Sequence, residues 1–193
     1  TTAEKDLDIT LHFPAAWTAE DKRPVMIFFF GGGWRKGTTK QFLIQADYFA
    51  SRGIVTARPY YRLKPAGVTP DKCVEDARSA VRWLRANASR LGIDPNKVIS
   101  AGGSAGGHLA YCTSIKQGAD DPNDDTTISC IPQAMVLYNP GLFYSDSEGV
   151  MDAVGGGALS AERLKLISPL DHLDKDTPPA LIVFGTKDKL KRG

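Results

Sequence analysis

The chain alternates short apolar runs with longer segments that are apolar on one side only, a pattern typical of strands alternating with helices. Residues 6–13 alternate apolar and polar positions and predict a half-buried strand. Residues 25–30 are continuously apolar and predict a strand that is covered on both faces. The same reasoning predicts further strands in four segments, the last of them buried: 54–61, 97–102, 134–140 and 180–186.

Helices are predicted between these strands. The clearest one opens at Pro70 and ends before Gly92, because its apolar residues recur at helical intervals: Val74, Ala77, Val81, Leu84 and Ala88. Further helices are predicted over 41–53, 104–116 and 160–167. Parallel strands need crossover connections, and helical crossovers cover both faces of a sheet. The alternation therefore predicts an α/β fold with a mostly parallel, doubly wound sheet, in which functional residues collect at the carboxyl ends of the strands.

Composition and charge narrow the possible partners. The 193 residues are 42% hydrophobic, which fits a single globular domain with a core of its own. Because 24 basic residues oppose 22 acidic ones and no long basic run occurs, we expect neither nucleic acid nor a membrane surface as a partner. The longest apolar run is too short to span a bilayer. The compartment stays open between the bacterial cytoplasm and a secreted or periplasmic location with the leader removed.

Cysteines and acidic clusters give no sign of a metal site. The three cysteines have no C-x-x-C spacing, so we expect neither a zinc site nor a disulfide framework. The acidic segment 118–127 lacks the mid-loop glycine and the terminal glutamate of a calcium-binding loop, and we expect it to be solvated. Glu75 and Asp76 are expected to be surface partners of Arg78 and Arg82.

Four glycines surround Ser104 at the predicted junction of a strand and a helix. The pattern Gly102-x-Ser104-x-Gly106 is that of a nucleophile elbow, in which small neighbours permit a sharp, strained turn that holds the serine hydroxyl above the sheet. The amide of Ala105 would lie at the helix N-terminus and point toward an anion bonded to the serine. The alternatives are a purely structural turn and a phosphate-binding loop, which lacks its G-x-G-x-x-G spacing here.

A second glycine-rich segment, Gly31-Gly32-Gly33-Trp34, follows the predicted strand 25–30. This is where an oxyanion-hole loop of the lipase and esterase type belongs. Glycines suit that role because the backbone can turn its N–H groups into a cleft with no side chain in the way. We therefore expect two glycine-rich loops, at the ends of two strands, to face one cleft.

With these motifs the chain resembles the α/β-hydrolase carboxylesterases and lipases, in particular the group related to hormone-sensitive lipase and to bacterial acetyl-xylan and feruloyl esterases. The resemblance runs from about residue 7 to residue 188 and includes the segments 74–110 and 177–188. It implies the α/β-hydrolase fold. It also implies a serine hydrolase that cleaves carboxylic esters and needs no metal or other cofactor.

The resemblance further implies a role for each candidate site residue. Ser104 would be the nucleophile, and Asp188 would be the acid that orients a histidine. Three backbone amides would form the oxyanion hole, those of Gly32, Gly33 and Ala105. Trp34 would supply either a further donor or a wall of the substrate pocket.

Two features depart from the family. Phe30 stands where most members have a histidine that orients the oxyanion loop. The base that should follow the acid is also missing, because only five residues come after Asp188. We expect the three histidines present to be hydrogen-bonded or exposed rather than catalytic: His12, His108 and His172. The simplest explanation is that residues 1–193 are one α/β-hydrolase domain, incomplete at its C-terminus, with the last strand, a helix and the base histidine beyond Gly193.

Three functions remain open at this point. The first is a serine esterase for short acyl groups such as acetyl, because the segment 141–166, which should shape the acyl pocket, is short and rich in glycine. Its substrate would be a small-molecule or carbohydrate ester. The second is a catalytically inactive binding protein of the same fold, as the missing base suggests. The third is a nucleotide-binding α/β domain.

Overall fold

A six-stranded sheet organises the part of the chain that the computed structural model describes, residues 7–63, 68–147 and 159–188. The strand order is β1-β3-β2-β4-β5-β6, with these bounds: β1 Ile9–His12, β2 Arg23–Phe29, β3 Val55–Pro59, β4 Ile93–Gly103, β5 Ala134–Tyr138 and β6 Ala180–Val183. β1 pairs antiparallel with β3, and the other neighbouring pairs are parallel. The mostly parallel sheet predicted from the alternation is confirmed.

Helices cover both faces of the sheet. The α-helices in the described ranges are α1 Leu43–Ser51, α2 Pro70–Ala86, α3 Ala88–Leu91, α4 Ala105–Cys112 and α5 Ala161–Leu166, and 3-10 turns cover Thr39–Phe42 and Pro169–His172. Successive side chains of β2 point to opposite faces, so Met26 and Phe28 enter the core beneath α1. The side chains on the other face enter the core beneath α2 and α4: Val25, Ile27 and Phe29. All of them are at most 2% exposed, which confirms a strand covered on both faces.

Several predictions for individual helices and strands are wrong, because the local hydrophobic pattern does not show where a helix is capped or how far a strand is buried. The long helix breaks at Asn87, which caps α2, and it resumes as the short α3. The helix after Ser104 ends at Cys112, one turn earlier than predicted. The strand predicted to be buried over 180–186 is β6, whose side chains at Leu181, Ile182 and Val183 are 61%, 44% and 42% exposed. Among the described strands it pairs with β5 alone, so its exposure is that of an edge strand in the described part of the sheet.

The expected pairing of Glu75 and Asp76 with Arg78 and Arg82 is also wrong. Neighbouring residues on a helix point in different directions and meet different elements. Glu75 is buried and binds Lys72 and Arg163, and the partly buried Asp76 binds Arg62. Arg78 and Arg82 instead bind Asp120 and Asp124 of the acidic segment, which is thus attached to α2, while its residues 122, 123 and 125–127 are exposed as expected.

Arg78 connects α2 to the segment that follows α4. Its side chain is 1% exposed, and its guanidinium donates to Asp120 and to the carbonyl oxygens of Cys112 and Ile115. Burial alone would raise the pKa of Asp120, but the guanidinium groups of Arg78 and Arg82 hold that pKa below its usual value. The carboxylate therefore stays charged beside its cations.

We expect Arg78→Ala to lower the free energy of unfolding by about 3–5 kcal/mol, because it leaves two carbonyl groups without their buried donor and the Asp120 carboxylate with Arg82 alone. Urea unfolding measures the change. The matched control is Lys97→Ala, which removes a 62% exposed cation paired with Asp94 and should cost no more than about 1 kcal/mol. Equal losses in the two variants would contradict a buried structural role for Arg78.

Candidate active site

The candidate site lies at the carboxyl ends of four neighbouring parallel strands. β2, β4, β5 and β6 are adjacent in that order, so the residues that follow them meet at one edge of the sheet. The glycine-rich loop follows β2, Ser104 follows β4, and Asp188 lies beyond β6. The structure thus brings the sequence-predicted residues to a common edge.

Ser104 has a strained backbone conformation. Its φ of 54° and ψ of −120° lie outside the regions that a serine ordinarily occupies. Its amide donates to the carbonyl oxygen of Tyr138 at the end of β5, 2.9 Å away, which holds the turn in place. α4 begins at the next residue, Ala105, whose N–H is among the donors that a helix leaves unpaired at its start. The geometry is that of a nucleophile elbow.

The glycines beside Ser104 are required by close backbone contacts. A Cβ atom at Gly106 would lie 2.0 Å from the carbonyl oxygen of Phe29. A Cβ atom at Gly102 would lie 2.2 Å from the carbonyl oxygen of Gly106. Neither position can hold a side chain unless the backbone moves, so the first turn of α4 lies directly against the end of β2.

The loop after β2 touches this turn. A Cβ atom at Gly31 would lie 3.2 Å from the Cβ of Ser104. Gly32 and Gly33 have φ values of 130° and 64°, which side chains rarely adopt. The carbonyl oxygen of Gly32 accepts the amides of two later residues and closes a tight turn: Arg35 and Lys36. Within the described ranges, the amides of Gly32 and Gly33 have no hydrogen-bond acceptor, so they remain able to bind an anion beside Ser104.

Two residues that the sequence did not single out hold the start of this loop. The hydroxyl of Tyr61 donates to the carbonyl oxygen of Phe30 at 2.7 Å, and the two rings stack with centroids 4.2 Å apart. The amide of Gly31 donates to Oε1 of Gln41 at 2.6 Å. Burial raises the pKa of Tyr61 far above its usual value, so its hydroxyl stays protonated as a donor. No motif marks either residue, because both contacts are formed by distant parts of the chain.

Trp34 and His108 pack together behind the loop. The Trp34 ring is 8% exposed and meets the imidazole edge to face, with centroids 5.1 Å apart. His108 is fully buried, and its Nε2 lies 2.7 Å from the carbonyl oxygen of Ile167. Burial lowers the pKa of His108 to about 4, which keeps the ring neutral and makes Nε2 the donor to that oxygen. His108 is therefore a hydrogen-bonded core residue, as expected, and a pocket role for Trp34 stays a prediction.

The other two histidines are engaged elsewhere. Nδ1 of His12 lies 2.7 Å from Oδ1 of Asp47, while its Nε2 meets the guanidinium of Arg58. Nε2 of His172 lies 2.8 Å from the carbonyl oxygen of Lys165. In the described ranges no histidine forms a hydrogen bond with the Ser104 hydroxyl, so this part of the chain brings a serine hydroxyl and unpaired backbone amides together without a histidine.

Asp188 lies two strands away from Ser104, with β5 between them. Its carboxylate accepts a hydrogen bond from the side-chain amide of Asn139, the residue that follows β5. Asn139 has a φ of 48°, and its backbone amide donates to the carbonyl oxygen of Val183 at 2.7 Å. This places the carboxylate beside the carboxyl ends of β5 and β6, where a histidine could join it to Ser104.

Among the described residues, no group of three or more histidine, cysteine, aspartate or glutamate side chains could hold a metal ion. The helices in the same ranges include none with the length and apolarity to cross a membrane. The polar groups described above at this edge of the sheet are a serine hydroxyl, a carboxylate and backbone amides.

This sheet, with a strained serine between strand and helix, defines the α/β-hydrolase fold. The chain belongs to the BD-FAE family, whose model matches residues 7–136. In structure it is similar to the apo form of esterase 2 from Thermogutta terrifontis, with a TM-score of 0.87 and 39% identity over 96% of this chain and 69% of that one. The expected family and fold are confirmed.

Curated relatives carry carboxylesterase names. Carboxylesterase NlhH of Mycobacterium tuberculosis is 33% identical over 107 residues, which is 54% of this chain and 32% of that protein. Isoprenylcysteine alpha-carbonyl methylesterase ICME of Arabidopsis thaliana is 33% identical over 183 residues, 86% of this chain and 43% of that protein. The chain thus spans between a third and a half of the length of these relatives.

The buried His108 predicts a loss of stability in mild acid. The unfolded chain binds a proton at this ring near pH 6.5, whereas the folded protein binds it only near pH 4. Stability should therefore fall as the pH drops through that window, by about 3 kcal/mol in all. Urea unfolding between about pH 7 and pH 4.5 measures the slope.

His108→Gln should flatten this slope, because a glutamine amide can still donate to the Ile167 carbonyl but does not titrate. His172→Gln is the matched control, since His172 is only partly buried and also binds a backbone carbonyl oxygen, and it should keep the wild-type slope. A slope that survives in His108→Gln would show that another group causes the acid sensitivity.

Proposed function

We propose that the chain is part of a serine carboxylesterase. Ser104 is its nucleophile, Asp188 is its acid, and three backbone amides form its oxyanion hole, those of Gly32, Gly33 and Ala105. The observation that carries the proposal is the conformation of Ser104, which has a positive φ on a strand-to-helix turn, directly before an unpaired helix N–H. Membership of the BD-FAE family and the carboxylesterase names of the relatives support the same reaction.

In this mechanism the Ser104 hydroxyl oxygen attacks the ester carbonyl carbon while its proton passes to a histidine base. The carbonyl electrons move to the oxygen, and the resulting anion is stabilised by three backbone amides, those of Gly32, Gly33 and Ala105. Collapse of the intermediate expels the alcohol, which takes the proton from the imidazolium and leaves an acyl group on Ser104. Water then attacks in the same way, releases the acid and restores the serine.

The base must be a histidine other than the three in this chain. His12, His108 and His172 each bind a partner away from Ser104. We expect the base beyond Gly193, where the family order of serine, acid and histidine would place it. Asp188 would orient its imidazole and stabilise the charged form that appears during the reaction.

We propose short-chain esters of small molecules or carbohydrates as substrates, with acetyl-type acyl groups preferred. The segment 141–166, which should shape the acyl pocket, is short and rich in glycine, although its residues 148–158 lie outside the described ranges. Related esterase 2 of Thermogutta terrifontis has structures with propionate and with butyrate bound. It also has one in which it is phosphorylated by paraoxon.

A catalytically inactive binding protein of the same fold is the second candidate. One observation favours it, namely that in the described ranges no histidine contacts the Ser104 hydroxyl. The two candidates differ in whether the full-length protein reacts covalently at Ser104.

Incubation of the full-length protein with a fluorophosphonate should add one adduct to its intact mass, and Ser104→Ala should add none. The wild type should also hydrolyse p-nitrophenyl acetate. Asp188→Asn should lower kcat on the order of a thousandfold or more, because the base loses its orienting carboxylate. A wild type that gains no adduct and hydrolyses no ester would contradict the esterase and favour the binding protein.

The acyl preference has its own test. Values of kcat/KM for p-nitrophenyl acetate and butyrate should exceed that for the octanoate by about tenfold or more, because a small pocket excludes the longer chain. A preference for octanoate would contradict the short-chain proposal and leave the esterase proposal intact.

A further inference from the structure

We propose that Gln41 is a positioning residue for the oxyanion hole, and that it acts by holding the peptide group between Phe30 and Gly31. This inference rests on the function proposed above. Gln41 lies on the 3-10 turn Thr39–Phe42 and reaches the loop after β2 through its side-chain oxygen alone.

Both polar atoms of this one peptide group are bound by side chains from other elements. Its carbonyl oxygen, that of Phe30, accepts the hydroxyl of Tyr61 at 2.7 Å. Its N–H, that of Gly31, donates to Oε1 of Gln41 at 2.6 Å. A peptide group is planar, so two hydrogen bonds at its opposite ends fix its rotation about the chain. The Phe30 side chain could make no such hydrogen bond itself.

This peptide group lies at the start of the glycine-rich turn of the loop. Gly32 and Gly33 follow with φ values of 130° and 64°, and glycine restricts the backbone less than any other residue. The directions of their amides therefore depend on the orientation with which the chain leaves Gly31. Gly31 also touches the elbow, because a Cβ at this position would lie 2.7 Å from the carbonyl oxygen of Gly103. If the Phe30–Gly31 peptide group rotated, the N–H groups of Gly32 and Gly33 would point in different directions relative to Ser104.

Gln41 is held firmly on the core. Its neighbour Phe42 stacks on Phe28 of β2 with centroids 5.4 Å apart, and its ring would lie 3.3 Å from a Cβ at Gly103. The guanidinium of Arg58 in β3 donates to the carbonyl oxygen of Thr39 at the other end of the turn. The turn is thus fixed to the strands that precede both loops, which gives the Gln41 side chain a rigid base.

The two anchors differ in a way that makes the role of Gln41 testable. Tyr61 is fully buried, so removal of its hydroxyl disturbs the core as well as the loop. Gln41 is an exposed residue whose side chain, among the described residues, makes one hydrogen bond, which its Oε1 accepts from the Gly31 amide. Substitution of Gln41 should therefore change the loop with little change in the stability of the whole protein.

The decisive variant is Gln41→Leu in the full-length protein, which keeps the size of the side chain and removes the acceptor. We expect kcat and the rate of fluorophosphonate reaction at Ser104 to fall by about ten- to a hundredfold, less than the loss of a whole oxyanion donor. KM should change by less than about threefold, because the amides are proposed to bind the oxyanion that forms during the reaction and not the substrate before it reacts. Gln117→Leu, the same change at an exposed glutamine outside the site, is the matched control and should leave all these values unchanged.

Amide hydrogen exchange at Gly31 tests the contact itself. Exchange should become at least about tenfold faster in Gln41→Leu and stay near the wild-type rate in Gln41→Glu, because a carboxylate oxygen also accepts. The midpoint of urea unfolding should be the same in the wild type and in both Gln41 variants, which separates positioning from a general loss of stability.

The outcomes separate this proposal from the one on which it rests. A Gln41→Leu variant with wild-type kcat, or with a raised KM and unchanged kcat, would overturn the positioning role while the esterase stands. If the wild type gains no fluorophosphonate adduct, the esterase proposal fails, and the Gly31 exchange rates still decide whether Gln41 holds the peptide. Unchanged exchange in Gln41→Leu would overturn the contact.

Discussion

The close approach of two backbones beneath Ser104 is the constraint on which the candidate site depends. The first turn of α4 lies so near the end of β2 that a Cβ at Gly106 would meet the Phe29 carbonyl oxygen at 2.0 Å. The chain must therefore turn sharply between β4 and α4, and the serine in that turn adopts a positive φ. The loop that leaves β2 passes beside the same turn. One packing contact thus sets the position of the nucleophile and of the amides proposed to receive the oxyanion.

Neutral contacts, rather than ion pairs, hold the loops around this constraint. Tyr61 and Gln41 bind the two ends of one peptide group, and Trp34 packs on His108, whose charge is suppressed by burial. A neutral support adds no fixed charge that would compete with a developing oxyanion. The ion pairs of Arg78 and Arg163 have a different role. They join α2 to the acidic segment and to α5.

Local sequence predicted what local geometry determines. The glycine spacing around Ser104 and the run after β2 marked the elbow and the loop, because only glycine satisfies such close contacts and positive φ values. Long-range contacts left no such mark. Nothing in the motifs indicated that Gln41 would meet Gly31 or that Arg78 would bind Asp120. These features depend on which distant segments meet, and the hydrophobic pattern reports only how apolar each segment is.

The central claim is that Ser104 and the glycine loop together form an oxyanion site. A crystal structure of the full-length protein after reaction with a short-chain alkyl phosphonate tests it most directly. The account predicts phosphorus bonded to the Ser104 oxygen, with the phosphoryl oxygen about 2.7–3.1 Å from the amide nitrogens of Ala105 and of Gly32 or Gly33. A phosphonate on another residue, or a phosphoryl oxygen turned to solvent with these amides unoccupied, would contradict it.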